Sequence, residues 1–99
     1  MLKQTSQVSE VIAKKAIQTD SGVDLVLEYS LHSRKGEEGE MLYSLEIKKS
    51  TPDGVLLERE TTAAITNNRE TALTAANAFA HGTVLPASLL EIADDYFTP

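Results

Sequence analysis

The sequence predicts an α+β domain in which a four-stranded antiparallel meander sheet is followed by two C-terminal helices packed on one face. Two short loops, 20–22 and 52–54, each end in glycine and separate runs of alternating apolar and polar residues. Such a loop favours a hairpin with a glycine bulge, because glycine accepts the left-handed backbone that the bulge needs. After residue 65 the spacing of apolar residues becomes that of a helix. We predict strands over about 8–18, 23–32, 41–50 and 55–65, and helices over about 68–81 and 86–97.

The composition limits what this chain is and does. Its 99 residues suit one domain, which we place at 1–99. The net charge of −6 opposes binding to nucleic acid, whose phosphates would be repelled. Cysteine is absent, which excludes disulfides and thiolate metal sites and is compatible with a reducing cytosol. Since no apolar run suits a signal peptide or a bilayer span, we expect an acidic, cytoplasmic protein without membrane contact.

The register of the second predicted hairpin gives the sheet one face to bury. With 52–54 as the loop, the odd-numbered residues of both strands form the buried face. Lys48 is then opposite Glu58 on the solvent face, which is a favourable cross-strand pair. Arg59 points inward opposite Ile47, where a buried guanidinium would need an acceptor or an anionic ligand.

The first predicted hairpin follows the same logic. Its register places Lys14 opposite Glu28 and Glu10 opposite His32 on the solvent face. Residues 8–18 are the ambiguous strand, because their apolar residues also have the spacing of a short helix. We favour a strand, since the turn and both cross-strand charge pairs agree with it.

The segment 33–40 lies between the two hairpins and contains two glycines but no apolar residue. This composition is typical of a mobile loop. Its glycine spacing and its acidic residues do not fit a phosphate-binding loop. We interpret the segment as a solvated connector in preference to a binding loop.

Two helices are predicted after the sheet. Asn67 is positioned to cap the first helix, and Glu70, three residues later, to reach back toward it. Gly82 suits the left-handed position just after this helix. Pro86 suits the first turn of the second helix, where its missing amide is harmless. The residues that give the helices an apolar face are Leu73, Ala76, Phe79, Ala80, Leu89, Ile92, Ala93 and Tyr96.

The sequence contains no residue pattern that specifies a reaction. His32 and His81 are the only histidines, and neither lies in a metal-ligand or catalytic motif. The acids Glu91, Asp94 and Asp95 share one face of the last helix, which we interpret as a solvated surface. We therefore predict no catalytic residue, no metal site and no cofactor, and we favour a protein that is not an enzyme.

Part of the chain resembles a small uncharacterised protein family of Gram-positive anaerobic bacteria. The resemblance rests on the strand Tyr43-Ser44-Leu45-Glu46-Ile47, on the asparagine-started helix after it, and on the proline-started segment 84–97 with its acidic, aromatic end. It covers residues 41–97 and leaves the N-terminal hairpin outside. It implies a bacterial cytosolic origin and the same order of elements, but no activity and therefore no functional residue.

Two functional hypotheses are compatible with the sequence. The first is a non-enzymatic interaction or accessory module whose partner is another protein or a second copy of the chain. Its candidate surface is the solvent face of the sheet, where Val26, Leu42 and Leu56, with Ile12 and Ala64 on the same face, would form an apolar patch if the first three lie together. The alternative is a small-ligand binder or small enzyme with a pocket between sheet and helices. The candidate pocket residues are Tyr29, Tyr43, Arg59 and Tyr96.

Overall fold

The computed structural model describes residues 7–98 and confirms the predicted fold class. Its elements are β1 (Gln7–Gln18), β2 (Asp24–Lys35), β3 (Met41–Ser50), β4 (Leu56–Thr61), α1 (Arg69–His81), a 3-10 turn (Pro86–Ser88) and α2 (Leu89–Phe97). The strands form one sheet in the order β1-β2-β3-β4, and each pairs with its neighbour in antiparallel fashion. Residues 7–18 therefore form a strand and not the alternative helix.

The three hairpins close with the same kind of turn. In each, the backbone amide of the residue before a three-residue loop donates to the backbone carbonyl of the residue after the loop. The last residue of the loop is a glycine with a left-handed backbone. The closing pairs are Thr19–Val23, Gly36–Glu40 and Thr51–Val55, and the glycines are Gly22, Gly39 and Gly54. The turn closed by Gly36 and Glu40 is shorter than the loop predicted over 33–40, because β2 continues to Lys35 and the chain then turns tightly into β3.

The first hairpin keeps its predicted register over the half nearest the turn. Lys14 lies opposite Glu28, and their charged groups are 3.9 Å apart. Between Val11 and Ala13 the register shifts by one residue. This bulge places Ile12 against the core, where it is partly buried, and not on the solvent face as predicted. Burial of an aliphatic side chain therefore favours the shift.

Beyond the bulge, the predicted pairing of Glu10 with His32 is wrong. Glu10 lies opposite Leu31, and Ser9 lies opposite His32. Glu10 thus moves to the face that the helices cover, where its carboxylate is 2.6 Å from the guanidinium of Arg69 at the start of α1. The bulge exchanges one cross-strand contact for an ion pair between β1 and α1.

The second hairpin contains a comparable shift close to its turn. Ser50 pairs with Leu56 as predicted, but Lys49 pairs with Glu58, so that Leu57 is an extra residue in β4. The ammonium of Lys49 lies 3.0 Å from the Glu58 carboxylate. The shifted register therefore pairs opposite charges directly across the strands.

The same shift overturns two predictions for β4. Glu58 does not lie opposite Lys48, and Arg59 does not point inward opposite Ile47. Arg59 instead pairs with Lys48 on the solvent face, and its side chain is 57% exposed. In the unshifted register Glu46 would lie opposite Glu60; the shift places Thr61 there and so avoids this repulsive pair.

The ladder between β3 and β4 stops at Thr61, although the predicted strand ran to residue 65. The amide of Thr62 still donates to the Leu45 carbonyl at 2.8 Å. Residues 63–64 then leave the sheet, and the chain returns when the amide of Ile65 donates to the carbonyl of Tyr43 at 2.8 Å. Residues 63–64 thus project out of the sheet between two backbone contacts with β3.

The core lies between the helices and one face of the sheet, which we call the inner face. The inner face carries the odd-numbered residues of β2 and β3, and the alanines of α1 let that helix approach them closely. The hydroxyl of buried Tyr29 donates to the carbonyl of Val84 at 2.9 Å, and burial raises the pKa of Tyr29 to about 12. The main core residues are Leu27, Tyr29, Leu31, Tyr43, Leu45, Ile47, Ala72, Ala75, Ala76, Phe79, Leu89 and Ala93.

Both ends of α1 differ in detail from the prediction. Asn68, not Asn67, caps its start, because the Asn68 side chain accepts a hydrogen bond from the amide of Thr71 at 3.0 Å. At its end Gly82 has a φ of −84°, and the left-handed residue is Thr83 with a φ of 55°. The side chain of Lys15 points inward and donates to the Ala80 carbonyl at 2.9 Å and to the Thr83 hydroxyl. Lys15 thus places a cation at the negative end of the helix.

Candidate functional site

The face of the sheet away from the helices, which we call the outer face, carries the even-numbered residues of β2 and β3. Although both helices lie on the inner face, the centre of the outer face contains two almost fully buried polar residues. Glu46 is 6% exposed and Ser30 is 2% exposed, and the two lie opposite each other on β3 and β2. A carboxylate this deeply buried requires several hydrogen-bond donors.

Glu46 receives these donors from both neighbouring strands. One carboxylate oxygen is 3.0 Å from Nε2 of His32 on β2. The other accepts a hydrogen bond from the Thr61 hydroxyl at 3.0 Å and lies 3.6 Å from Nε of Arg59, both on β4. Burial by itself would raise the pKa of Glu46, but the hydrogen bonds from His32 and Thr61, with the charges of His32 and Lys48, outweigh it and lower the pKa.

His32 is held on both sides of its ring. Its Nε2 faces Glu46, and its Nδ1 lies 3.4 Å from the side-chain amide nitrogen (Nε2) of Gln7 on β1. In either protonation state of the ring, an Nε2–H can donate to the Glu46 carboxylate. Gln7, His32, Glu46 and Thr61 thus connect the four strands across the outer face. Both ring nitrogens of His32 and both carboxylate oxygens of Glu46 thus have a polar partner within 3.4 Å.

A groove with both polar and apolar lining lies at the end of the outer face nearest the turns at 20–22 and 52–54. Val26 is opposite Ser50, and Ser50 is opposite Leu56, so the two aliphatic side chains flank a small polar one. Leu56 is 49% exposed. The groove has a volume of about 370 Å³, and its lining consists of Lys14, Val26, Glu28, Lys48, Ser50, Thr51, Pro52, Gly54 and Leu56.

The third residue of the candidate patch lies elsewhere. Leu42 is opposite Arg34, near the start of β3, and lines a separate depression beside the turn at 36–40. Ser50 is eight positions after Leu42 on β3, which corresponds to roughly 27 Å along an extended strand. The structure therefore brings Val26 and Leu56 together, but not Leu42.

The four residues of the candidate ligand pocket do not line one cavity. Tyr29 and Tyr43 are buried in the core on the inner face, whereas Arg59 is on the outer face. Tyr96 is on α2, 44% exposed, with its ring 5.3 Å from that of Phe79 in an edge-to-face contact. The ligand hypothesis thus loses the inward guanidinium on which it depended.

The remaining sequence candidates form no further site within residues 7–98. In that range no group of three or more histidine, aspartate or glutamate side chains is placed to hold a metal ion. The acids Glu91, Asp94 and Asp95 are exposed on α2. No helix in the same range has the length and apolar character to cross a membrane.

Sequence reasoning missed the contact between His32 and Glu46, although a signal for it was present. Gly36 and Gly39 mark a third turn, and that turn fixes the register of β2 against β3. With Lys35 opposite Met41, the pairing places His32 opposite Ser44, diagonal to Glu46 on the same face.

Comparison with known proteins yields one family and no described activity. No curated protein and no solved structure matches the chain. A family of unknown function, DUF6514, matches residues 8–99. The match includes the N-terminal hairpin, which the sequence resemblance over 41–97 had left outside. The chain belongs to the DUF6514 family.

Proposed function

We propose that this protein is a non-enzymatic interaction or accessory module that binds another protein chain through the outer face of its sheet. The observation that carries the proposal is the groove flanked by half-buried Val26 and exposed Leu56, because aliphatic side chains accessible on a concave surface are typical of protein contacts. Lys14, Lys48 and Glu28 in its lining supply charges of both signs that orient a partner.

The buried polar network supports the same proposal. It fixes the side chains of three strands beside the groove, so that the outer face is preorganised and a partner orders few additional groups on binding. In this proposal Glu46 and His32 position the surface and do not take part in a reaction.

We further propose that the protein works in the bacterial cytosol. The cysteine-free sequence supports this location, since it suits a reducing compartment. The partner is then a cytosolic protein or a second copy of the chain.

The proposal is tested by capture with cross-linking from a lysate of the native host, followed by mass spectrometry. Three baits are compared: the wild-type chain, the double variant Val26→Ser, Leu56→Ser, and the control variant Val8→Ser. Val8 is 59% exposed and lies outside the groove. We expect the wild type and the control to recover one defined chain, and the double variant to recover at least about tenfold less of it. Recovery of the bait alone in all three, with no cross-linked dimer of the bait, would contradict the proposal, and so would equal recovery of the partner by all three.

A further inference from the structure

A second groove lies on the opposite side of the molecule, between α2 and the segment 62–65. Its volume is about 250 Å³. Leu90 forms part of its wall and is 51% exposed. The full lining consists of Thr62, Ala63, Ile65, Leu90, Ala93, Asp94, Phe97 and Thr98.

The groove exists because α2 has two apolar stripes and buries one of them fully. Leu89 and Ala93 pack into the core and are 0% and 4% exposed. Leu90 and Phe97, two helical turns apart, form the second stripe beside the groove. The excursion of residues 63–64 away from the sheet leaves that side of α2 without a strand against it.

The charge around this groove has one sign. Glu91, Asp94 and Asp95 are exposed, and no ion pair found among residues 7–98 involves any of them. Asp94 lines the groove itself. Asp94 and Asp95 also lie in the last turn of α2, where the helix dipole is already negative and a basic residue is absent. Their placement is unfavourable in the isolated chain, and a cationic partner would relieve it.

We propose that this groove binds a basic amphipathic helix of another protein. Aliphatic residues at positions i and i+3 or i+4 of that helix fill the space between Leu90 and Phe97, and its Lys or Arg residues face Asp94, Asp95 and Glu91. The surface shares no lining residue with the groove of the outer face, so this inference goes beyond the proposed function and does not depend on it.

The test uses the full chain and designed peptides of about 18 residues, long enough to form a helix on binding. The probe peptide has leucines on one helical face and lysines on the other. One comparison peptide has glutamate in place of each lysine, and a second has the probe's composition in scrambled order. Binding is measured by fluorescence anisotropy at low and raised ionic strength.

We expect saturable binding of the probe, no binding of the acidic peptide and weak binding of the scrambled one. Leu90→Ser should weaken the affinity for the probe peptide about tenfold, as expected for an apolar anchor. Leu57→Ser, which changes a leucine of equal exposure on β4, should leave the affinity unchanged. The triple variant Glu91→Gln, Asp94→Asn, Asp95→Asn should flatten the salt dependence.

Three results would overturn the inference. They are the absence of saturable binding, equal affinity for the probe and scrambled peptides, and an affinity that Leu90→Ser does not change. Val26→Ser, Leu56→Ser should leave peptide binding intact. If that double variant no longer captures the partner of the outer face while the wild type binds no peptide, the proposed function is retained. This second groove is then rejected as a binding site.

Discussion

Glu46 is a carboxylate buried on a sheet face from which both helices are absent. It is stable there because His32 and Thr61 hydrogen-bond its two oxygens from opposite sides. Its charge is also compensated by Arg59, which the bulge in β4 places on the same face. The register shift in β4 thus determines that Arg59 and Thr61, two of the groups around the Glu46 carboxylate, lie on the outer face.

The stability of the protein should depend on the ionisation of Glu46. Because the folded pKa is lower than the ordinary value of 4.5, this group contributes stability above pH 4.5, and the contribution is lost as the pH falls through the folded pKa. Glu46→Gln should reduce the free energy of unfolding at pH 7 by about 1–3 kcal/mol and remove part of its acid dependence. Urea unfolding between pH 3 and 7 measures both effects. Parallel acid profiles for the wild type and the variant would contradict this assignment.

Lys15 should stabilise the end of α1. Its ammonium donates to the Ala80 carbonyl, so Lys15→Met should lower the free energy of unfolding by about 1–2 kcal/mol. Lys14→Met is the matched control, because the neighbouring lysine is 65% exposed in its side chain and its ion pair with Glu28 is long. The control should change the free energy by less than about 0.5 kcal/mol. Equal losses in thermal or urea unfolding would reject the capping role of Lys15.

At the scale of elements, the sequence predicts what its turns specify and misses what tertiary packing decides. Gly22 and Gly54 predict two hairpins, because a left-handed residue at the end of a short loop strongly favours glycine. The bulges at Ile12 and Leu57 carry no such residue. Each is stabilised by contacts that only the folded chain makes, namely core packing for Ile12 and the Lys49–Glu58 pair beside Leu57. Since one inserted residue reverses the two faces, the prediction for Arg59 failed while the fold class did not.

The bulge in β4 can be tested by double-mutant cycles. Lys49→Met and Glu58→Gln should show a favourable coupling of roughly 0.2–1 kcal/mol, since these side chains lie opposite each other. The cycle of Lys48→Met with Glu58→Gln is the control and should show no coupling, because those residues are on different faces. The free energies come from urea unfolding. Coupling in the control cycle alone would support the unshifted register.

The whole molecule is a thin, two-layered body with extents of 48 × 39 × 18 Å. One layer is the sheet and the other is the helices, so each surface of the sheet has a different role. The inner face is closed by α1 and α2, whereas the outer face combines a buried polar centre with the groove flanked by Val26 and Leu56. This division supports the interaction module that we propose.

The most direct test of this account is site-specific photocross-linking in the native host. A photoreactive benzophenone amino acid replaces Ser50, between Val26 and Leu56, or Thr74, which is exposed on α1. The account predicts a light-dependent adduct to another protein chain from position 50 and none from position 74. No adduct from position 50, or the same adduct from both positions, would contradict binding through the outer face.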